Sequence, residues 1–204
     1  MRTVPAAVAV VVALTGLPAK AQTISKKIDL RTKEGVQAVK GEWRYSDVKV
    51  VEVAAKTAEG QPTTTYNLEP KAFPTDFDDS KWEVLDPTTL RKPRGGGQVC
   101  FAWYRIRITL PDDAAGKAVF FETTVDDYGE VWVDGLLPRK PGDSGGAVIA
   151  GFNKPNRVEL KDARPGKVYQ IAVFGINGPI SAAPSNRIFL GNTFLELTDK
   201  GDGR

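Results

Sequence analysis

The sequence predicts an all-β domain, a β-sandwich or jelly roll, on two observations. Short apolar or alternating runs recur along the chain, and clusters of Gly, Pro, Asn and Asp separate them. No stretch has the spacing of a long amphipathic helix, and no internal repeat is visible. A chain of 204 residues is long enough to bury one sizeable core of this kind.

The run from 102 to 110 is the clearest strand. Its even positions are apolar, and Arg105, Arg107 and Thr109 alternate with them. This period of two predicts a strand with one face in the core and the other in water.

Two more strands follow this run, over 118–124 and 129–133, and the Asp134-Gly135 pair after them is a strong hairpin signal. Together the three runs predict an antiparallel sheet. Cys100, just before the block, is predicted to pack as a small apolar residue. The side chains assigned to the core of this block are Tyr104, Ile106, Val131 and Val133.

The other strands are shorter or less regular. In the run 48–53 apolar residues point to both sides, so either both faces are covered or a bulge at Val50 and Val51 changes the register. The remaining predicted strands are 41–45, 63–68, 147–152, 157–160, 168–176 and 187–197.

The amino terminus has the pattern of a secretory signal peptide. A positive start precedes a short apolar run from Val4 to Leu17, and Ala19-Lys20-Ala21 has the small-x-small spacing of a cleavage site. We therefore expect a periplasmic or secreted protein without a membrane span. The predicted organisation is a signal peptide at 1–21, a leader at 22–39, a β-sandwich domain at 40–198 and a tail at 199–204.

Composition excludes several kinds of chemistry. There is no histidine and one cysteine, which excludes a Ser-His-Asp triad, a Cys-His pair, histidine or thiolate metal sites and an internal disulfide. The formal charge of +3 falls by two when Arg2 and Lys20 leave with the signal peptide, so nucleic acid is not an expected partner. Carboxylate chemistry and hard cations remain.

Three stretches in order carry a family resemblance: FDDSKW at 77–82, WYR at 103–105 and VDDYGEVWVDG at 125–135. They resemble the galactose-binding-like jelly-roll domain that serves as the sugar-binding domain of family 2 glycoside hydrolases. The chain also resembles the amino-terminal domain of some bacterial gluconolactonase-like proteins. Asp134 stands where the pattern usually has Asn, and Asp126-Asp127 contains an extra acid.

The resemblance implies a galactose-binding-like fold and a non-catalytic module, usually beside a catalytic domain. Since seven residues follow Leu197, a propeller with lactonase ligands has no room, and lactonase activity is not expected. This fold also hosts structural spacers and other binders, so the resemblance is weak for function.

A carbohydrate site is the first candidate. Sugars stack on aromatic rings while carboxylates, amides and arginines hold their hydroxyls. Packing within the core or against another subunit is the competing interpretation of each aromatic residue. The candidate ligand-binding residues are Trp103, Arg105, Asp127, Tyr128, Trp132, Asn153 and Asn177.

A structural calcium ion is the second candidate, because carboxylates are its usual ligands. The alternative is that Asp78, Asp79 and Ser80 cap a turn before Trp82. The candidate metal ligands are Asp76, Asp78, Asp79 and Asp126.

The predicted function is an exported, non-catalytic module that binds carbohydrate. The alternatives are an interaction domain that docks a separately encoded exported enzyme, or a small carboxylate-dependent glycoside hydrolase. For the hydrolase, Asp126 and Asp127 are not expected to act as the pair, because neighbours on a strand face opposite sides.

Overall fold

Two antiparallel sheets form the sandwich in the computed structural model, which describes residues 24–139, 146–150, 154–178 and 186–199. The all-β prediction is therefore confirmed. The predicted signal peptide and residues 200–204 of the tail lie outside the described residues. The elements are β1 (Ile24–Asp29), α1 (Lys33–Ala38), β2 (Trp43–Asp47), β3 (Lys49–Lys56), β4 (Pro62–Glu69), β5 (Glu83–Leu85), β6 (Cys100–Thr109), β7 (Lys117–Val125), β8 (Tyr128–Val133), β9 (Val148–Ala150), β10 (Pro155–Glu159), β11 (Val168–Asn177) and β12 (Leu190–Asp199).

The six-stranded sheet has the order β5-β2-β6-β11-β8-β9, and the four-stranded sheet has the order β1-β12-β7-β10. The long strands β6 and β11 pair over their whole length at the centre of the larger sheet, with Ile106 opposite Ile171. A separate two-stranded hairpin consists of β3 and β4.

The core lies between the inner faces of the two sheets. Tyr104, Ile106 and Val131 are at most 1% exposed, and Val133 packs against them as a partly buried residue, which confirms the predicted core. Cys100 is buried in the same cluster, as predicted. The alternation read from the sequence thus identifies the inward face of β6 correctly.

The segment interpreted as a leader is part of the sandwich, which corrects the predicted start of the domain at residue 40. β1 pairs with β12, and Leu30 is fully buried. The Trp43 indole Nε1 donates to the Leu30 carbonyl at 3.0 Å. α1 begins after Thr32, whose Oγ1 accepts from the Gly35 amide at 2.9 Å, the usual N-cap bond.

Neither interpretation of the run 48–53 is correct. Strand β3 pairs with β4 in continuous register, and both faces are exposed along most of its length. Apolar residues therefore face both sides because this hairpin stands apart from the core, and no bulge is involved.

Among the described residues no helix has the length and apolar character needed to cross a membrane.

Substitution of Phe121 tests the assignment of the core. The Phe121 side chain is 0% exposed and lies between Val158 of β10 and Leu195 of β12. Phe121→Ala should lower the free energy of unfolding by about 3–5 kcal/mol, because it removes buried contacts and leaves a cavity. The matched control is Val84→Ala, at a side chain 52% exposed, and it should change stability by less than about 0.5 kcal/mol in the same urea titration. Equal effects of the two changes would contradict this assignment of the core.

Candidate functional site

The outer face of the six-stranded sheet has two halves of different chemistry. One half carries an apolar cluster centred on Trp103, Ala172 and Phe174. Residues 70–82, here called the covering segment, lie over this cluster and contribute Ala72 and Phe73 to it. The other half is a polar groove. The prediction that the outer face of β6 lies in water is thus only half correct.

Arg105 holds the covering segment on the sheet. Its side chain is 1% exposed, and its Nε donates to Asp79 Oδ2 at 2.8 Å. Its Nη1 donates to the Ala72 carbonyl and to the Pro74 carbonyl, the latter at 3.0 Å. Burial lowers the pKa of the guanidinium, and the Asp79 carboxylate opposes that shift. Arg105 was predicted to bind a ligand, but its Nε and Nη1 donate to the chain itself.

The predicted stacking aromatics also have partners within the chain. Trp103 is 5% exposed, its Nε1 donates to the Pro70 carbonyl at 2.8 Å, and its ring lies 4.8 Å from that of Phe174. Trp132 stacks on Phe73 with ring centroids 4.5 Å apart. These contacts correspond to the packing interpretation left open by the sequence, and for Trp103 they leave no ring face for a sugar.

Glu130 binds the polar ends of two predicted site residues. Its Oε2 accepts from Trp132 Nε1 at 2.9 Å, and its Oε1 accepts from the Tyr128 hydroxyl at 2.6 Å. Burial and this carboxylate raise the pKa of the Tyr128 hydroxyl. Tyr128, Glu130 and Trp132 therefore form one hydrogen-bonded group at the margin of the apolar cluster.

The polar groove is a cavity of about 400 Å³ beside the covering segment. Arg107 is exposed there, and its Nε lies 3.4 Å from Gln170 Oε1. Within the described residues neither Lys40 nor Arg107 has a carboxylate within salt-bridge distance, whereas Arg44 pairs with Glu42 at 2.5 Å. The groove is lined by Lys40, Glu42, Arg44, Phe77, Asp79, Arg105, Ile106, Arg107, Thr109, Val168 and Gln170.

Sequence reasoning found only Arg105 and Asp79 among these groove residues, and it gave them other roles. The available signal was the alternation that places Arg107 on the same face as Arg105. Gln170 joins them because β11 pairs with β6 with Gln170 opposite Arg107. Arg44 joins them because β2 pairs with β6 with Arg44 opposite Arg105. Neither register is visible in the sequence.

Asp126 and Asp127 lie in the turn between β7 and β8, and the carboxyl groups of both lie beside the end of β11. The prediction that they face opposite sides is therefore wrong, because the turn lacks the alternation of a strand. Burial, and then the neighbouring Asp127 carboxyl, raise the pKa of Asp126 to about 6. Among the described residues Asp126 Oδ1 has no hydrogen-bond partner.

The end of β11 closes over this carboxyl pair. Asn177 Nδ2 donates to the Arg187 carbonyl at 2.5 Å and lies 3.5 Å from Asp126 Oδ2. The Gly178 amide donates to Asp127 Oδ2 at 3.3 Å. The structure thus brings together Asp126, Asp127 and Asn177 from the predicted sites, while Asn153 lies outside the described residues.

The proposed calcium ligands are not gathered into one site. Within the described ranges no three acidic or thiol side chains are placed to share a metal ion. Asp79 pairs with Arg105, and Asp76 is exposed. Asp78 Oδ1 accepts from the Ser80 amide at 3.0 Å, which is the turn-capping arrangement of the alternative interpretation.

Several solved β-glucuronidase structures are similar to this chain. Bacteroides uniformis beta-glucuronidase 2, covalently bound to cyclophellitol-6-carboxylate aziridine, is 15% identical with a TM-score of 0.49, and the match covers 85% of this chain and 18% of that one. A β-glucuronidase from glycoside hydrolase family 2, the family named by the sequence resemblance, is 17% identical with a TM-score of 0.42 over 79% of this chain and 18% of that one. Faecalibacterium prausnitzii β-glucuronidase is 16% identical with a TM-score of 0.37, covering 78% of this chain and 32% of that one.

No family profile and no curated protein matches the chain. The chain spans less than a third of each of these three enzymes. At these identities and TM-scores the likeness supports no argument about a site or an activity. The fold class rests on the two sheets described above.

Removal of Arg105 should loosen the covering segment. Arg105→Met should lower the free energy of unfolding by about 3 kcal/mol, because Asp79 and two backbone carbonyls lose their buried donor. The near-UV circular dichroism of the Trp103 region should weaken as well. The control is Arg107→Met on the same strand and face, where exposure limits the expected change to about 0.5 kcal/mol. If the two variants were equally stable, Arg105 would have no such holding role.

Asp126 should make the fold less stable as the pH rises. Its pKa near 6 in the folded state exceeds the ordinary value of 3.8, so its contribution is complete below about pH 4 and is lost as the pH rises through 6. Asp126→Asn removes the ionisable group beside Asp127 and should stabilise the protein by about 1 kcal/mol at pH 7, since partial exposure weakens the effect. Urea titrations at pH 4 and pH 7 measure it. A wild-type-minus-variant difference that did not change between these pH values would contradict the raised pKa of Asp126.

Proposed function

We propose that this chain is an exported, non-catalytic module that binds carbohydrate in the polar groove beside the covering segment. The observation that carries the proposal is the groove itself, an open cavity of about 400 Å³ in which cationic, carboxylate and amide side chains converge beside an aromatic ring. This volume lies within the range of small-ligand sites. The export part rests on the amino-terminal sequence pattern.

The lining of the groove has the chemistry that sugars require. Arg107 and Gln170 offer planar donors and acceptors side by side, which suit adjacent hydroxyl groups. The Phe77 ring, half-buried at the wall of the groove, supplies apolar surface. Lys40 and Arg107 add positive charge without a carboxylate partner among the described residues, so sugars with carboxylate or sulfate groups fit as well as neutral ones.

The carboxylates support binding rather than hydrolysis. Glycoside hydrolysis needs an acid and a base or nucleophile on either side of the bond, at least about 5 Å apart. In the groove, Asp79 is bound to Arg105 and Glu42 to Arg44. Asp126 and Asp127 lie in the turn between β7 and β8 and are not among the residues that line the groove.

Glycan binding tests the proposal. The full chain is screened against an array of neutral, uronate-containing and sulfated oligosaccharides, with and without calcium, and the strongest hit is measured by calorimetry. Arg107→Ala should weaken binding about tenfold, because it removes a charge-assisted contact made only to the ligand. The matched control is Arg91→Ala, an exposed arginine outside the groove, which should bind as the wild type does.

Two results would overturn the assignment. If no oligosaccharide on the array bound, carbohydrate binding would be excluded and the alternative of an interaction module would remain. Binding that Arg107→Ala leaves unchanged would place the ligand outside the groove.

A further inference from the structure

The hairpin of β3 and β4, here called the arm (residues 49–69), projects from the sandwich, and no layer of the described residues covers it. Val50, Val51 and Tyr66 are 53%, 39% and 66% exposed. Within the described ranges neither strand pairs with anything except the other. A two-stranded ribbon is marginally stable in water, whereas three or more strands with an apolar face can be stable.

The two edges of the arm differ in charge. β3 carries Lys49, Glu52 and Lys56, and charges on an edge strand discourage pairing with other chains. β4 has no charged residue from Pro62 to Leu68 and contains the run Thr63-Thr64-Thr65-Tyr66, which has high β-propensity. The open edge of β4 is therefore uncharged from Pro62 to Leu68, and Pro62 removes one backbone donor at its start.

We infer that β4 pairs antiparallel with β4 of a second copy of this chain, which joins two arms into one four-stranded sheet. A two-fold axis normal to the sheet brings residues of the same face opposite each other. With Thr65 on the axis, Thr65 lies opposite Thr65 of the second copy, and each Thr64 lies opposite a Tyr66. Thr–Thr and aromatic–β-branched pairs are stabilising cross-strand neighbours.

The charges favour this occupant and this register. No two like charges meet between residues 61 and 69, because Glu69 lies opposite Gln61 of the second copy. The pairing also gives the exposed Tyr66 rings a neighbouring strand. This inference is independent of the groove and of the function proposed for it.

A charge pair at the axis tests the inference. The mass of the full chain is measured by light scattering and sedimentation across a concentration range, and a concentration-dependent dimer is expected. Thr65→Lys and Thr65→Glu should each raise the dimer dissociation constant about fivefold or more, because each places like charges directly opposite. An equimolar mixture of the two variants should recover the wild-type affinity or exceed it.

The control and a second measurement keep the test decisive. Ala54→Lys and Ala54→Glu carry the same charges on β3, at an exposed residue away from the β4 edge, and should dimerise like the wild type. Amides of residues 63–68 should gain hydrogen-exchange protection as the concentration rises. A chain that is monomeric at every concentration overturns the inference, as does a dimer that neither Thr65 variant weakens.

Discussion

The buried guanidinium of Arg105 is the interaction on which the outer face of the sheet depends. Its donors reach the Asp79 carboxylate and the carbonyls of Ala72 and Pro74, which lie 26 to 33 residues earlier in the chain. An arginine can satisfy several acceptors at once because its donors form a rigid planar fork. One side chain thereby ties the covering segment to the central strand of the larger sheet.

This bridge separates two environments on one surface. On one side the covering segment keeps Trp103 and Phe174 away from water. The hydrogen bond from Trp103 Nε1 to the Pro70 carbonyl fixes the start of this segment. On the other side the same segment presents Phe77 and Asp79 to the groove. The groove therefore owes one wall to the contacts that bury the apolar cluster. Packing and the candidate site cannot be altered independently here.

Local pattern and long-range contact explain what the sequence could and could not predict. The alternation in β6 identified its inward face, since burial of one face of a strand leaves a period of two. Arg105 and Arg107 share the other face, yet one is buried and one exposed. Contacts with residues far away in the chain determine which of the two arginines is buried, so periodicity alone could not predict it. The placement of the Asp126 and Asp127 carboxyls together at the end of β11 was missed because strand geometry was applied to a turn.

The arm and the covering segment are consecutive parts of the chain, but they differ in how far their apolar residues are buried. Leu68, near the end of β4, packs into the cluster beneath the covering segment, as does Val48 just before β3. Tyr66, two residues before Leu68, is exposed. The base of the arm is therefore fixed by the same packing that Arg105 maintains, while the rest of the arm lacks a cover from its own chain among the described residues. Because a fixed base limits the directions an edge strand can take, the arm is suited to meet a partner in one orientation.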